Sequence, residues 1–207
     1  MPVLRRAPIL GLALGLVAAP ACFANPLQTT KYVYYPISGN TASELYKAML
    51  SHGPHVNGAK AYAATTATSS QDGKLEQSKS CLIEDYRLKI DFVIRLPKLK
   101  NEAALPAPDR AKWRQFSDFL KRHEETHRSI WLSCAQDLED KVRAIKTSNC
   151  ADADSRAAKL WDAMRRACGL KHDAFDAAEQ RKLLRHPFVR MVMKSATHTA
   201  TAAAAPP

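Results

Sequence analysis

Beyond its first two dozen residues the chain has no apolar run that approaches the ~20 residues a membrane-spanning helix needs. It also lacks a long basic block, and its cationic residues are not interleaved with aromatics, so the net charge of +11 reads as a basic surface rather than a nucleic-acid interface. No internal repeat is present, which excludes a solenoid or propeller. What the chain does have at its start is Arg5 and Arg6, an apolar charge-free run from Ile9 to Ala19, and the small residues Ala21, Cys22 and Ala24. That order is the signature of a signal peptide, with cleavage expected after Ala24. Lipid attachment at Cys22 is the second reading, disfavoured by the weak upstream box Ala19-Pro20-Ala21. Residues 25–196 then suffice for a single domain with a proper core, and residues 197–207, all Ala, Thr, His and Pro, are expected to be a disordered tail.

Four cysteines follow the cleavage position: Cys81, Cys134, Cys150 and Cys168. An even number in an exported chain predicts two disulfides in a periplasmic or secreted protein.

The first half of the domain reads as strands with one helix. Lys31 to Ile37 is aromatic and β-branched and stops at Ser38-Gly39-Asn40. Thr41 and Glu44 form a capping box for a helix carrying Leu45, Met49 and Leu50, which Gly53-Pro54 ends. Ala59 to Ser69 predicts a strand, Ser69 to Ser80 a polar hairpin connection, and Cys81 to Leu96 a strand whose Leu88, Ile90, Phe92 and Ile94 share one face. From Pro106 the apolar period becomes helical, through Trp113, Phe116, Leu120, Ile130, Cys134 and Leu138. The spacing predicts a helix over Asp109 to Ile145, a loop through Ser148-Asn149-Cys150, and a second helix over Ala153 to Leu184. The expected fold is α+β: an N-terminal antiparallel sheet with one short helix, packed on a long antiparallel helical hairpin.

The first long helix carries His123-Glu124-Glu125-Thr126-His127. Residues four apart share a helix face, so His123 and His127 can present two imidazoles to one zinc ion. Glu124 sits beside that face, where a carboxylate can take the proton of an attacking water and pass it to a leaving amine. The same residues admit a plainer reading, in which the histidines are hydrogen-bonded core residues and Glu124 and Glu125 form a solvated face with Arg122 and Arg128.

If the two long helices fold back about Asn149, with Lys146 ending one and Ala153 starting the other, their register follows from the rise of 1.5 Å per residue. His127 then stands level with His172, His123 with Asp176, and Cys134 close to Cys168. Cys150 is about 20 Å from either cysteine along the helices, too far to bridge, which leaves Cys81 paired with Cys150. Gly169 is a point where a kink would shift this register. His172, Asp176 and Glu179 are all placed as possible third ligands, and an ion pair of His172 with Asp176 at spacing four is the alternative for those two.

These features together resemble a bacterial family, the domain of unknown function 922, described as predicted secreted zinc-dependent proteases. The resemblance spans most of the mature chain. It rests on Tyr34-Tyr35-Pro36-Ile37-Ser38-Gly39 and the following short helix, Gly53-Pro54, the cysteine-led strand ending in Leu96-Pro97, Arg122-His123-Glu124-Glu125-x-His127, Cys150 between the helices, and Phe175-Asp176. It implies a zinc site on His123 and His127 with Glu124 as base, and its aromatic-Asp pair makes Asp176 the third ligand. The chain departs from the family at Thr126, where glycine is usual, and at Glu179 and Arg181-Lys182, which replace a threonine and a histidine-glycine. Those departures keep His172, Glu179 and His186 open as alternatives to Asp176.

The expectation is therefore a secreted zinc-dependent peptidase that hydrolyses peptides or proteins of the cell envelope without a covalent intermediate and without a transmembrane anchor or nucleic-acid partner. Two others compete with it. One is a non-catalytic envelope protein with a structural zinc site or only a disulfide-stapled hairpin, binding a protein or cell-wall partner; the other is an amidase acting on peptidoglycan peptides with the same metal and base.

Overall fold

The computed structural model describes residues 26–194. The expected signal peptide over 1–24, with Cys22, and the expected tail over 197–207 lie outside them. The central element is a strand of 19 residues, and around it the order is β1 (Leu27–Ile37), α1 (Ala42–His52), β2 (His55–Val56), β3 (Ala59–Lys60), β4 (Ala64–Gln77), β5 (Cys81–Leu99), α2 (Ala107–Arg143), β6 (Lys146–Thr147) and α3 (Cys150–Arg185). A fourth helix, α4, follows over 187–194. No helix among the described residues is long and apolar enough to cross a membrane.

The sheet is mixed rather than antiparallel as expected. β5 pairs antiparallel with β4 on one edge, but parallel with β1 on the other, from Leu27 opposite Lys89 to Ile37 opposite Leu99. The intervening helix and β4 reverse the chain an even number of times, which returns β5 in the direction of β1. The polar hairpin connection expected over Ser69 to Ser80 is present but shorter. β4 continues through it to Gln77, and only Ser78 to Ser80 turn. Its side chains there are solvent-exposed, so polar residues lose nothing in a strand held by backbone pairing to β5. The predicted strand from Ala59 is split instead, because β2 and β3 form a separate hairpin at Asn57-Gly58, both with positive φ (50° and 80°) as a tight two-residue turn requires.

β5 buries Cys81 and Ile83, then Tyr86, Leu88, Ile90, Phe92, Ile94 and Leu96. The alternation skips one residue between Ile83 and Tyr86. The cause is a bulge at which Asp85, in the left-handed region at φ 52°, and Tyr86 oppose Gly73. A side chain on Gly73 would press on Ile83 and Tyr86.

α2 begins at Ala107, two residues earlier than expected, and ends at Arg143. Its 37 residues reach about 55 Å, close to the roughly 60 Å of β5, and the helix lies antiparallel along that strand. Two cores result. Trp113, Phe116 and Leu120 pack with Ile94, Leu96, Leu45, Met49 and Phe188 at one end; Ala135, Leu138 and Val142 pack with Cys81, Tyr86, Leu88 and Ile90 at the other. Between β6 and β1 the edge of β5 is uncovered by strand, and buried Glu139 takes its place by accepting from the Leu88 N–H at 2.6 Å. Arg143 completes the patch, donating to the Tyr86 carbonyl at 3.0 Å and to Glu139 at 2.6 Å.

α3 returns along α2 as an unbroken helix through Gly169, so the possible kink does not occur. It starts at Cys150, with the Asn149 side chain accepting from the Asp152 N–H, earlier than the Ala153 expected. Only Ala153 and Cys168 of its 36 residues are buried, with Leu160, Trp161 and Met164 partly so. Such a helix depends on its staples. Both expected disulfides are present: Cys134–Cys168, with Cα atoms 6.0 Å apart, joins α3 to α2 at mid-length, and Cys81–Cys150, at 5.1 Å, joins its start to β5.

The double substitution Cys134→Ser/Cys168→Ser is expected to lower stability by about 3–4 kcal/mol in chemical denaturation, from the loop it closes. Hydrogen exchange should accelerate around Asp176 and stay slow near Ala153, which Cys81–Cys150 still holds.

Candidate metal centre

The segment 121–130 of α2 lies between the two cores, where the helix faces the sheet with one side and α3 with another. Here Glu124 turns to the sheet and is 4% exposed, against the reading of it as part of a solvated face. Thr65 of β4, paired opposite Ile94, supplies a hydroxyl 2.9 Å from its Oε2 and equally near its backbone carbonyl. Burial pushes the Glu124 carboxyl up to about 7, with the Thr65 hydroxyl opposing and Asp176 adding to the rise.

His123 and His127 turn to α3. The antiparallel register expected from helix rise is the one present: His127 meets His172, with their Nδ1 atoms 2.8 Å apart, and His123 Nε2 lies 3.3 Å from Asp176 Oδ1. His127 Nε2 lies 2.9 Å from the same oxygen and 3.1 Å from His123 Nε2. Three electron-pair donors therefore form a near-equilateral triangle. Burial lowers the pKa of both imidazoles, with Asp176 opposing, so each favours the neutral form that offers a lone pair. Lone pairs brought this close repel unless a cation or a shared proton lies among them. Tetrahedral ligands about 2.0–2.1 Å from zinc stand roughly 3.3 Å apart, so two imidazole nitrogens and a carboxylate oxygen at these separations suit such an ion in chemistry and in spacing. Among the described residues these three are the group that could hold a metal.

The other candidates stand elsewhere. His172 answers the outer nitrogen of His127 and touches the Cys168 sulfur at 3.8 Å through Nε2, while Glu179 Oε2 lies 4.0 Å from the outer nitrogen of His123. His186 follows α3 and caps α4, its Nδ1 accepting from the Phe188 N–H at 3.3 Å, and its ring packs against Phe116 and Phe119 away from the triangle. Thr126 folds its hydroxyl back onto the Arg122 carbonyl at 2.9 Å and stays on its own helix, so its departure from glycine places nothing among the donors.

The donors open into a cleft of about 440 Å³, walled by Ala61 to Thr65 on the strand side and by Asp176, Glu179 and Leu183 on α3. Phe175 packs on both imidazoles, with ring centroids 4.8 and 5.1 Å away, and Trp131 lies 5.4 Å from the His172 ring. Thr65 and Trp131 were not foreseen as parts of the site. Thr65 lies in a Thr- and Ser-rich strand with nothing local to single it out, whereas Trp131 sits four residues after His127 on the same stripe.

Fold and site thus define an α+β domain whose helical hairpin gathers two histidines and an aspartate above a buried glutamate. The chain matches the family described as bacterial protein of unknown function (DUF922) over residues 32–183, and it belongs to that family. No curated protein and no solved structure matched it.

An unfolded chain releases the Glu124 proton near 4.5 and the folded, metal-free protein near 7. This carboxyl therefore does not penalise folding below about pH 4.5, and its cost grows as pH rises to 7 and then levels off. In chelator-treated protein Glu124→Gln should be more stable than wild type at pH 8, on the order of 2–3 kcal/mol, and little different at pH 4. Thermal unfolding at both pH values checks this; an equal difference at each would contradict the assignment.

Proposed function

We propose that the protein is a zinc-dependent peptidase that hydrolyses peptide bonds in the cell envelope or outside the cell. The observation that carries this reading is the placement of the buried Glu124 carboxylate in the same cleft as the His123, His127 and Asp176 triangle. A structural zinc site is closed by four protein ligands, whereas here His172 and Glu179 address the outer nitrogens of the histidines and leave the cleft side of the triangle open.

His123, His127 and Asp176 would hold the ion. Zinc, when bound, supplies Lewis acidity that polarises a carbonyl and makes water acidic. Glu124 accepts the proton of the attacking water and returns it to the leaving amine, a task that suits its buried place in the cleft beside the triangle. Thr65 restrains the base by its hydrogen bond, and Phe175 screens the imidazoles from bulk water. β4 is an outer strand of the sheet, and its first residues form part of the cleft wall, which suits an extended peptide lying beside it. Two disulfides fit an oxidising compartment.

Metal analysis of the purified mature protein should find one zinc per chain, lost in His123→Ala. Glu124→Gln should retain the zinc and lose at least about 100-fold in cleavage of a peptide library. Zinc with equal, absent cleavage in wild type and Glu124→Gln would favour a non-catalytic envelope binding protein, and cleavage confined to peptidoglycan peptides would favour the amidase. A wild type that holds no zinc would remove the metal reading itself.

A further inference from the structure

The three residues that α3 turns toward the histidines, His172, Asp176 and Glu179, follow one another at spacings of four and three and so form one stripe of the helix. Asp176, in the middle, addresses the inner nitrogens of both imidazoles. The flanking pair faces the outer ones. A histidine that offers Nε2 to a metal carries its proton on Nδ1, and that N–H needs an acceptor if it is buried. For His127 the acceptor is His172 Nδ1 at 2.8 Å. For His123 the Nδ1 atom is buried and has no hydrogen-bond partner among the described residues, and the carboxylate facing it is Glu179 Oε2 at 4.0 Å.

Resting on the metal reading above, we infer that Glu179 is the positioning residue for His123: its carboxylate receives the His123 Nδ1–H and so fixes Nε2 as the nitrogen turned to the ion. Three observations converge on it. Glu179 is 12% exposed at its side chain, in contrast to Asp176 at 53%, so it is directed into the hairpin rather than to solvent. Its other oxygen, Oε1, is held by Lys182 Nζ at 2.6 Å, which keeps a carboxylate in a mostly covered place. The remaining oxygen needs to advance by about 1 Å to reach hydrogen-bond distance, within the freedom of a three-torsion side chain. The Phe175 ring, 4.8 Å from the His123 ring, limits how far the imidazole can turn to find another acceptor. The role differs from that of a third ligand: Glu179 acts through His123 and does not touch the ion.

The experiment is zinc titration of chelator-treated mature protein against a competing indicator, for wild type, Glu179→Ala, Glu179→Gln and Asp176→Ala. Glu179→Ala should weaken zinc about 10–100-fold and Asp176→Ala more. Glu179→Gln should recover most of the affinity, because the amide oxygen can accept from Nδ1–H while Lys182, its side chain 70% exposed, swings aside. Ring proton–nitrogen spectra of the zinc-loaded proteins should show a protected His123 Nδ1–H in wild type and Glu179→Gln and an exchanging one in Glu179→Ala. Metal-free unfolding temperatures of all four proteins should agree within a few degrees, separating a positioning role from a packing role. Wild-type affinity with a protected Nδ1–H in Glu179→Ala would overturn the inference and leave the metal centre standing. So would a Glu179→Gln variant as weak as Glu179→Ala, which would make the charge the active feature. A wild type that takes up no zinc would overturn both.

Discussion

Everything that makes the cleft more than a gap between helices depends on the register of α3 along α2. Asp176 is held eight residues, roughly 12 Å, after Cys168, the point at which α3 is covalently tied to α2. With only two buried residues in α3, hydrophobic packing alone sets that register weakly. The Cys134–Cys168 bridge sets it firmly, seven residues after His127 on one helix and four before His172 on the other. A slip of one helical turn would carry Asp176 about 5.4 Å along the axis and dissolve the triangle. The oxidised state of the hairpin is thus a condition of the site as well as of stability.

The second constraint is the interruption of the core. α2 is matched in length to β5 and is anchored by apolar residues at both ends, so its middle is held in place with few apolar residues of its own. That arrangement allows a carboxylate to be buried where a core side chain would otherwise stand. Glu124 is tolerated there through the Thr65 hydroxyl and a raised pKa, and the two cores carry the cost. The converging lone pairs of His123, His127 and Asp176 are a second local conflict in the same stretch. Conflicts of this kind, supported by stable flanking structure, are what functional sites look like when the rest of a sequence agrees with its fold.

The helices and their staples were legible because their signals are periodic or geometric. A rise of 1.5 Å per residue placed His172 beside His127 and paired the four cysteines with no knowledge of the sheet. The sheet was harder. The alternation through Leu88 to Ile94 revealed β5, but nothing in Leu27 to Ile37 says which direction its partner runs, and the polar half of β4 carries no burial pattern to mark it as a strand. The Asp85 bulge did leave a trace, in the one-residue shift between Ile83 and Leu88 in the phase of buried positions. Thr65 and Glu139 left none, since each acts through a contact more than fifty residues away in sequence.

The central claim is that His123, His127 and Asp176 hold one zinc ion with a position open to the cleft. Anomalous diffraction at the zinc edge from crystals of the mature protein tests it most directly. The account predicts a single peak bounded by His123 Nε2, His127 Nε2 and Asp176, with non-protein density completing the coordination on the Glu124 side. No peak there, or a peak enclosed by four protein ligands including His172 or Glu179, would contradict it.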